Sequence, residues 1–384
     1  MLRESIPSRS ARAMAARKTR SLVKFSRSSV FGFESGFDIF FDMVVSYTIS
    51  IHCKYIGGDM KSVTYKKYGS SEVLEISEVE VPAITENQVL VKVQAVSINP
   101  ADWHFMRGTP YLVRLQSGLR KPKVGKFGLD MAGVVESVGA SVSEFKVGDA
   151  VYGESMGALS EFAVFGKNSL ALKPANLNFE EAAAVPMAGF TAIQALRDKA
   201  KVKAGQKVLI VGASGGVGTF AVQIAKAFGA NVTGVCSTGN VEMVKSIGAD
   251  RVIDYTKEDF FTGVDKYDVI VQTAGNYTLK QLRAALASEG TLVQAGDSSG
   301  VKAVFGMGFV FGMLKTLVIS KFSKQSMPPF LAKRSKEDLV VLAGLIESGA
   351  VKPIIDRRYP MAEVAAAVNY LEAGHARGKV VITL

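Results

Sequence analysis

Lys207-Val208-Leu209-Ile210-Val211-Gly212-Ala213-Ser214-Gly215-Gly216-Val217-Gly218 is the stretch that decides the fold. Residues 207–211 form an almost continuous apolar run, which is typical of a strand buried on both faces. A glycine-rich turn follows directly, and a helical pattern occupies residues 219–228. This order predicts a dinucleotide-binding site, because the first N–H groups of a helix can bind an anionic pyrophosphate.

The glycines of this turn have different expected purposes. Gly212 permits the tight turn, Gly215 lets the backbone approach the pyrophosphate, and Gly218 permits close packing of the helix on the strand. The turn residues expected to bind the dinucleotide are Gly212, Ser214, Gly215, Gly216, Val217 and Gly218. The alternative is a glycine-rich turn without a ligand, but the strand before it and the helix after it favour binding.

Strand candidates recur beyond the turn, with helical patterns between them, at residues 231–235, 251–253, 268–271 and 291–295. Alternating strands and helices predict an α/β fold with a doubly wound parallel sheet and helices on both faces, the Rossmann arrangement. We assign this dinucleotide-binding domain to residues 186–325.

The residues before that domain follow a different pattern. Short alternating runs separated by glycine turns occur at residues 62–81, 88–96 and 128–152. They predict a β-rich, barrel-like domain, which we assign to residues 60–185. Residues 326–384 carry two helical patterns and end in a strand pattern at 379–383. We expect this tail to return to the β-rich domain and complete it.

The second strand of the Rossmann pattern ends in Cys236-Ser237-Thr238-Gly239-Asn240. NAD-selective folds place an acid here, where it binds the ribose 2′-hydroxyl. In this chain the first carboxylate is Glu242, which falls on the next helix. An acid would repel the 2′-phosphate of NADPH, whereas hydroxyl and amide groups accommodate it. We therefore expect NADPH rather than NADH, although Gly239 is not the basic residue that would strengthen this choice.

The formal net charge of +11 suggests a nucleic-acid partner, but the positions of the charges do not. Residues 1–33 hold eight Arg or Lys and one acid, so they carry +7 and the rest of the chain only +4. The rest has no basic stripe interleaved with aromatic residues, the pattern of RNA-binding surfaces. We expect no nucleic-acid partner.

Residues 1–59 show no amphipathic period that persists. Residues 1–33 have the Arg- and Ser-rich composition of an organellar transit peptide, and residues 37–56 are apolar but interrupted by charges that a membrane span tolerates poorly. We expect a leader outside the fold; the alternatives are a targeting peptide and a peripheral anchor. The expected location is the cytoplasm, or an organelle matrix or envelope if residues 1–33 are a transit peptide.

Candidate metal ligands are scarce. The chain has two cysteines, Cys53 and Cys236, and three histidines, His52, His104 and His375. Structural zinc sites take four ligands, mainly cysteine and histidine, and this composition leaves little material for one. We expect no metal.

Further motifs occur in order at residues 99–102, 128–135, 148–153, 189–192 and 374–381. They read Asn-Pro-Ala-Asp, Gly-Leu-Asp-Met-Ala-Gly-Val-Val, Gly-Asp-Ala-Val-Tyr-Gly, Gly-Phe-Thr-Ala and Gly-His-Ala-Arg-Gly-Lys-Val-Val. With the glycine turn, they resemble the medium-chain dehydrogenase/reductase superfamily and, within it, the zinc-free quinone oxidoreductase (zeta-crystallin-like) branch. The resemblance covers residues 60–384 and implies a GroES-like catalytic domain beside the Rossmann domain.

The same resemblance bears on zinc. Zinc alcohol dehydrogenases of the superfamily carry Gly-His-Glu where this chain has Gly128-Leu129-Asp130, and a cysteine near the position of Asn99. Both zinc-binding features are missing, so zinc-assisted alcohol oxidation is not supported.

The resemblance also implies cofactor contacts outside the turn. Ser237 and Tyr255 match positions that contact the adenosine 2′-phosphate and the adenine, and Thr191 matches one near the nicotinamide. His375 and Arg377 match a C-terminal segment that closes over the cofactor in some relatives. Tyr255 has the alternative of an aromatic that covers the core at a strand end, and His375 and Arg377 that of a solvated helix terminus.

By the same resemblance, the loop that contains Asn99, Asp102 and His104 lines the nicotinamide pocket. Asn99 is the candidate that orients the substrate carbonyl or the cofactor amide. Asp102 is a catalytic candidate, but capping of the following turn is the favoured explanation for it. His104 is a candidate proton donor, with packing or surface exposure as its alternative. No acid–base pair is evident, so water is another possible source of the proton.

Residues 301–320 are strongly apolar, with Lys315 as an interruption. This segment is either a buried helix or dimer contact, or an apolar lid over a lipophilic substrate, or a patch that touches a membrane surface. A second copy of the chain and a peripheral membrane contact are therefore among the expected partners.

The resulting prediction is an NADPH-dependent reductase of quinones or α,β-unsaturated carbonyls. A reduced nicotinamide gives hydride to an acceptor that conjugation already polarises, so the protein need only align the reactants and bind the developing oxyanion. The expected substrate is a small lipophilic carbonyl or quinone. Two alternatives stay open: a zinc-free alcohol dehydrogenase, and a cofactor-binding protein with a structural or assembly role.

Overall fold

A computed structural model describes residues 58–259, 261, 266–275, 277–296, 319 and 322–384, all of which belong to the unit Cys53–Leu384. The predicted leader, residues 1–59, lies outside the described residues up to position 57, and the apolar segment 301–320 does so except for residue 319. Asp59, the last residue of the predicted leader, already belongs to the first strand, Asp59–Thr64. Within the described part of the chain, no helix is long and apolar enough to cross a membrane.

The described residues form fourteen strands and nine α-helices. The strands are β1 (Asp59–Thr64), β2 (Glu75–Glu80), β3 (Gln88–Ile98), β4 (Asp130–Val138), β5 (Ala150–Glu154), β6 (Phe162–Gly166), β7 (Leu170–Leu172), β8 (Lys207–Val211), β9 (Asn231–Cys236), β10 (Arg251–Asp254), β11 (Tyr267–Gln272), β12 (Leu286–Gln294), β13 (Ile355–Pro360) and β14 (Lys379–Thr383). The helices are α1 (Pro100–Arg107), α2 (Val113–Ser117), α3 (Phe179–Ala183), α4 (Pro186–Ile193), α5 (Gly216–Ala227), α6 (Val241–Ser246), α7 (Leu279–Ala285), α8 (Lys336–Glu347) and α9 (Val364–Glu372).

A five-stranded parallel sheet has the order β10-β9-β8-β11-β12, with β8 at its centre. The central strand is buried from Val208 to Val211, as its apolar sequence predicts. Helix α5 follows β8 through the glycine turn. The predicted Rossmann arrangement is confirmed in this part of the chain.

A second sheet is mostly antiparallel and has the order β13-β14-β3-β4-β5-β7, with β6 also paired to β3. Its long strand β3 pairs with β14 from the end of the chain, in a register that places Ile98 opposite Val380. This is the β-rich, GroES-like part of the molecule, and it includes the C-terminal strand. The exact domain boundaries stay a prediction.

One hydrophobic cluster joins elements of both sheets. It contains Tyr152 from β5, Phe190 from α4, Phe220 from α5 and Leu339 from α8, all nearly inaccessible to solvent. The Tyr152 hydroxyl also donates a hydrogen bond to the Leu339 carbonyl oxygen at 2.6 Å. Burial on this scale is the main favourable term in folding. The cofactor-binding and β-rich parts therefore share a packed core.

Gly218 is the position where α5 packs most closely on the turn. A Cβ built there would lie 2.0 Å from the carbonyl oxygen of Gly212, a distance that no real contact reaches. We expect Gly218→Ala to lower the free energy of unfolding by about 2–4 kcal/mol, because the backbone must shift. The matched change Gly344→Ala lies in α8 with nothing within 4 Å. It should raise that free energy by up to about 1 kcal/mol, since alanine is the better helix former.

Chemical denaturation of the two variants and the parent measures both effects. Equal stability of Gly218→Ala and the parent would contradict the steric argument.

Candidate active site

The glycine turn forms a cradle at the start of α5. At Gly212, φ is +85° and an added Cβ would lie 2.7 Å from the Ala274 Cβ, so the turn itself requires this glycine. At Gly215, φ is −81° and the atom nearest to an added Cβ is 3.6 Å away. No contact among the described residues requires glycine at 215. The open space there, at the N-terminus of a helix of 12 residues, fits an approaching pyrophosphate.

The segment just before β14 forms another side of this cradle. The Gly378 N–H donates to the Ser214 carbonyl oxygen at 2.9 Å, and Gly378 forms a parallel bridge with Gly215. At Gly378, φ is +96° and an added Cβ would lie 2.3 Å from the Ile354 carbonyl oxygen, so only glycine fits. The C-terminal segment named from the resemblance therefore lies directly against the turn.

The end of β9 brings several polar groups together. Asn240 Nδ2 donates to the hydroxyl oxygens of Ser214 and Ser237, at 3.1 Å each. Its Oδ1 is buried and accepts no hydrogen bond from the described residues, an arrangement that fits a ribose hydroxyl donor. A Cβ built on Gly239 would lie 3.3 Å from Nη2 of Arg377. The cation that is missing at Gly239 in the sequence thus reaches the same place from the C-terminal segment.

Two other residues predicted to contact the cofactor, and one nearby carboxylate, have different surroundings. Tyr255 follows β10 and is 53% exposed, so its ring does not cover the core and is free to meet an adenine. Asp254 is the nearest carboxylate along β10 and accepts hydrogen bonds from the hydroxyls of Thr238 and Thr256. These bonds lower the pKa of Asp254 to about 2. His375 is exposed on the surface.

Of the catalytic candidates that the resemblance places in a loop, only Asn99 lies between β3 and α1, whereas Asp102 and His104 belong to helix α1 itself. Asn99 precedes the helix, and its backbone N–H donates to Oδ2 of Asp102 at 2.7 Å. Both side chains are buried. Asp102 therefore has the capping geometry that the sequence favoured for it. Its Oδ1 has no hydrogen-bond partner among the described residues, and burial raises its pKa well above the usual range.

Asp130 and Lys379, which the sequence indicated only as parts of motifs, complete this site. Asn99 Nδ2 donates to Oδ2 of Asp130 at 2.9 Å, and Asn99 Oδ1 accepts a hydrogen bond from Lys379 Nζ. Asp130 also accepts the backbone N–H of Met187, at 3.2 Å, near the start of α4. Each charge stands at the first position of a strand and is followed by a run of apolar residues, the one signal that could have indicated it.

Asp130 and Lys379 form a buried ion pair, with 3.7 Å between Oδ2 and Nζ. Burial raises the pKa of Asp130 above its usual range and lowers that of Lys379, while each charge opposes the shift of the other. Buried charges persist only when they are paired and hydrogen-bonded. The Asn99 amide, which contacts both, supplies part of that compensation.

The remaining catalytic candidates have local hydrogen-bond partners. His104 Nδ1–H donates to the Thr109 carbonyl oxygen at 2.7 Å, and its ring lies against Trp103 with 3.7 Å between centroids. The Thr191 hydroxyl donates to the Met187 carbonyl oxygen at 2.8 Å within α4. The structure thus links Thr191 to Asn99 through Met187 and Asp130. His104 instead bonds to the segment that directly follows its own helix, α1.

In the part of the chain that the structure describes, no group of three or more His, Cys, Asp or Glu is arranged to hold a metal ion. The Asn99 region instead holds two buried acids, an amide and one lysine. This donor set favours internal charge pairing.

Comparisons with known proteins identify the family. Residues 85–192 match the alcohol dehydrogenase GroES-like domain, and residues 247–382 match the family described as zinc-binding dehydrogenase. A 2-methylene-furan-3-one reductase of Solanum lycopersicum is 39% identical over 342 residues, which cover 85% of this chain and 80% of that protein. The chain belongs to the medium-chain dehydrogenase/reductase superfamily. It is an oxidoreductase of the quinone oxidoreductase branch that the sequence motifs indicated.

Two further comparisons agree with this assignment to the superfamily. An NADPH-dependent alkenal/one oxidoreductase of Arabidopsis thaliana is 34% identical over 339 residues, covering 84% of this chain and 79% of that protein. The solved quinone oxidoreductase of Coxiella burnetii matches with a TM-score of 0.73 and 28% identity, covering 85% of this chain and all of that one. The superfamily is nicotinamide-dependent.

Gly215 provides a test of the cradle. Gly215→Leu should leave the fold intact, because the added side chain points into open space, but it should occupy the room that a pyrophosphate needs. We expect affinity for reduced nicotinamide dinucleotides to fall by about two orders of magnitude, or roughly 3 kcal/mol. The matched control Gly166→Leu also adds a side chain in open space, at the exposed end of β6, and should bind normally.

Fluorescence titration of both variants measures the affinities, and thermal melting checks the fold. Normal binding by a folded Gly215→Leu would show that the dinucleotide does not use this turn.

Proposed function

We propose that this chain reduces quinones or α,β-unsaturated carbonyls with NADPH, by direct hydride transfer and without a metal. The observation that carries the proposal is the similarity to a furanone reductase over 85% of the chain and to an alkenal/one oxidoreductase over 84% of it. A conjugated acceptor needs no Lewis acid, because conjugation already makes one carbon electrophilic. This suits a site whose charged groups are paired with one another.

A bound reduced nicotinamide would supply the hydride. The chain's own task is to hold two reactants in register and to keep water away. The turn at 212–218 offers helix N–H groups to the pyrophosphate, and the buried loop around Asn99 fixes the pocket wall. Thr191 stays a candidate for the nicotinamide end, and His104 a candidate proton donor, although the Thr109 carbonyl already holds one of its ring nitrogens.

The preference for NADPH over NADH rests on the groups around Gly239. Two serine hydroxyls, an asparagine and the Arg377 guanidinium surround the place where a 2′-phosphate would bind. Guanidinium and phosphate form charge-assisted bidentate hydrogen bonds. Two nearby acids already have partners: Asp254 is bound by Thr238, Thr256 and Lys257, and Asp356 accepts the Arg377 backbone N–H at 2.9 Å.

Two variants test this preference. Arg377→Gln should weaken NADPH binding about tenfold, in keeping with one lost charge-assisted hydrogen bond, and leave NADH binding unchanged. Ser237→Asp should reverse the order of the two cofactors, because a carboxylate repels the 2′-phosphate and accepts a ribose hydroxyl. Arg120→Gln removes an exposed arginine elsewhere and serves as the control. Tighter binding of NADH than of NADPH by the parent would contradict the proposal.

An assay panel tests the reaction itself. We expect NADPH oxidation with simple quinones and enones and little with saturated aldehydes, and we expect a chelator to leave the rates unchanged. One neighbour in the solved structures is an NAD-dependent alcohol dehydrogenase, at 27% identity and a TM-score of 0.71. The panel therefore includes primary alcohols with NAD⁺ and NADP⁺. Alcohol oxidation faster than enone reduction, or loss of activity together with one zinc per chain, would favour that second function.

The small carbonyl or quinone substrate apart, the partners of the protein and its cellular location are predictions. We propose a homodimer, and we assign the predicted peripheral membrane contact to residues 301–320. The cytoplasm is the predicted location. The organellar alternative gains support from the Arabidopsis relative, whose name calls it chloroplastic, and from the transit-like composition of residues 1–33.

A further inference from the structure

Lys379 lies between the glycine turn of residues 212–218 and Asn99, which precedes α1. Its buried side chain passes Gly216, where an added Cβ would lie 3.1 Å from the lysine Cδ. Beyond Gly216, the ammonium group reaches Asn99 Oδ1. A single side chain thus approaches the first residue of α5 and contacts the residue that precedes α1.

A lysine at this position requires an explanation. The rest of β14 reads Val-Val-Ile-Thr and is buried through Ile382, so an apolar residue would suit position 379 without desolvating a charge. The backbone of Lys379 makes an ordinary contact, with its N–H on the Ile354 carbonyl oxygen at 2.8 Å, which any residue but proline could make. The ammonium group is therefore the part of the residue that has a specific purpose.

That purpose follows from the chemistry of the two groups that bind Asn99. An ammonium group only donates hydrogen bonds, and a carboxylate only accepts them. Lys379 therefore binds the amide oxygen of Asn99, and Asp130 binds its nitrogen at 2.9 Å. Together they leave the amide one orientation. With Asn99 held, the start of α1 is also fixed against the glycine turn.

We propose that Lys379 is a positioning residue for hydride transfer, which acts through Asn99 and not by contact with the substrate. It fixes the orientation of the Asn99 amide and the distance between the catalytic loop and the cofactor turn. The proposal rests on the proposed function for its kinetic consequences, but its structural consequence holds in the protein without cofactor or substrate.

The first experiment compares Lys379→Met with Lys92→Met, the same change on an exposed lysine of β3. We expect kcat with the best acceptor of the panel to fall roughly 10- to 100-fold in Lys379→Met, as for other losses of orientation. The dissociation constant for NADPH should stay within about threefold of the parent, as expected when an interaction serves orientation rather than binding. Lys92→Met should change neither quantity.

A double-mutant cycle tests whether Lys379 acts through Asn99. In an Asn99→Ala background, the further change Lys379→Met should lower kcat by less than about twofold, because the group it positions is already gone. Additive losses would overturn the proposal. So would unchanged kcat in Lys379→Met, or a loss confined to NADPH affinity, which would make Lys379 a cofactor ligand.

Hydrogen–deuterium exchange supplies a readout that does not depend on turnover. In the protein without cofactor, peptides that cover Asn99 to Arg107 should exchange faster in Lys379→Met than in the parent or in Lys92→Met. If no acceptor is reduced by the parent, the proposed function fails, while faster exchange still supports the positioning of Asn99. Unchanged exchange overturns it. Should Lys379→Met not fold, Lys379→Gln retains a donor for Asn99 Oδ1 and should give intermediate kcat and exchange; parent values for both would overturn the need for the ammonium group.

Discussion

The approach of α5 to the end of β8 is the constraint on which the rest of the site depends. Only glycine at 218 lets the helix come within contact of the Gly212 carbonyl, and this approach brings the helix N-terminus to the edge of the parallel sheet. The open space at Gly215 and the Ser214 carbonyl that receives Gly378 are both products of that geometry. The cofactor cradle is thus a consequence of backbone packing, to which side chains add selectivity.

Much of this architecture could be predicted from the sequence. Residues 208–211 are all apolar, so both faces of that strand had to be covered, and the alternation of strands and helices then determined a parallel sheet. The sequence pattern predicts the start of α5 at residue 219, whereas the helix begins at Gly216. Glycine disfavours helices, but packing of the turn overrides its propensity. The last strand of the parallel sheet, β12, is predicted at residues 291–295 but begins at Leu286. Backbone pairing of Leu286 with Tyr267 extends this strand through polar residues.

The catalytic side could be predicted only in part. Asn99, Asp102 and Thr191 were named, but Asp130 and Lys379, which hold them together, were quoted only as parts of motifs. A charged residue at the first position of a strand usually faces solvent. That Lys379 is buried depends on a partner 280 residues away in the chain, and no local pattern reports such a contact. Asn99, expected to orient substrate or cofactor, has both ends of its amide engaged by protein groups.

Arg377, Gly378 and Lys379 are consecutive, yet they reach Gly239 beyond β9, the glycine turn and Asn99 in turn. Their location has a consequence for folding. The parallel sheet is built from a contiguous segment of sequence, whereas the pairing of β14 with β3 joins distant parts of the chain and carries the entropic cost of closing a long loop. During synthesis the parallel sheet with its glycine turn can form before β14 has emerged from the ribosome. The C-terminal segment that closes one side of the turn and holds Asn99 is therefore added last.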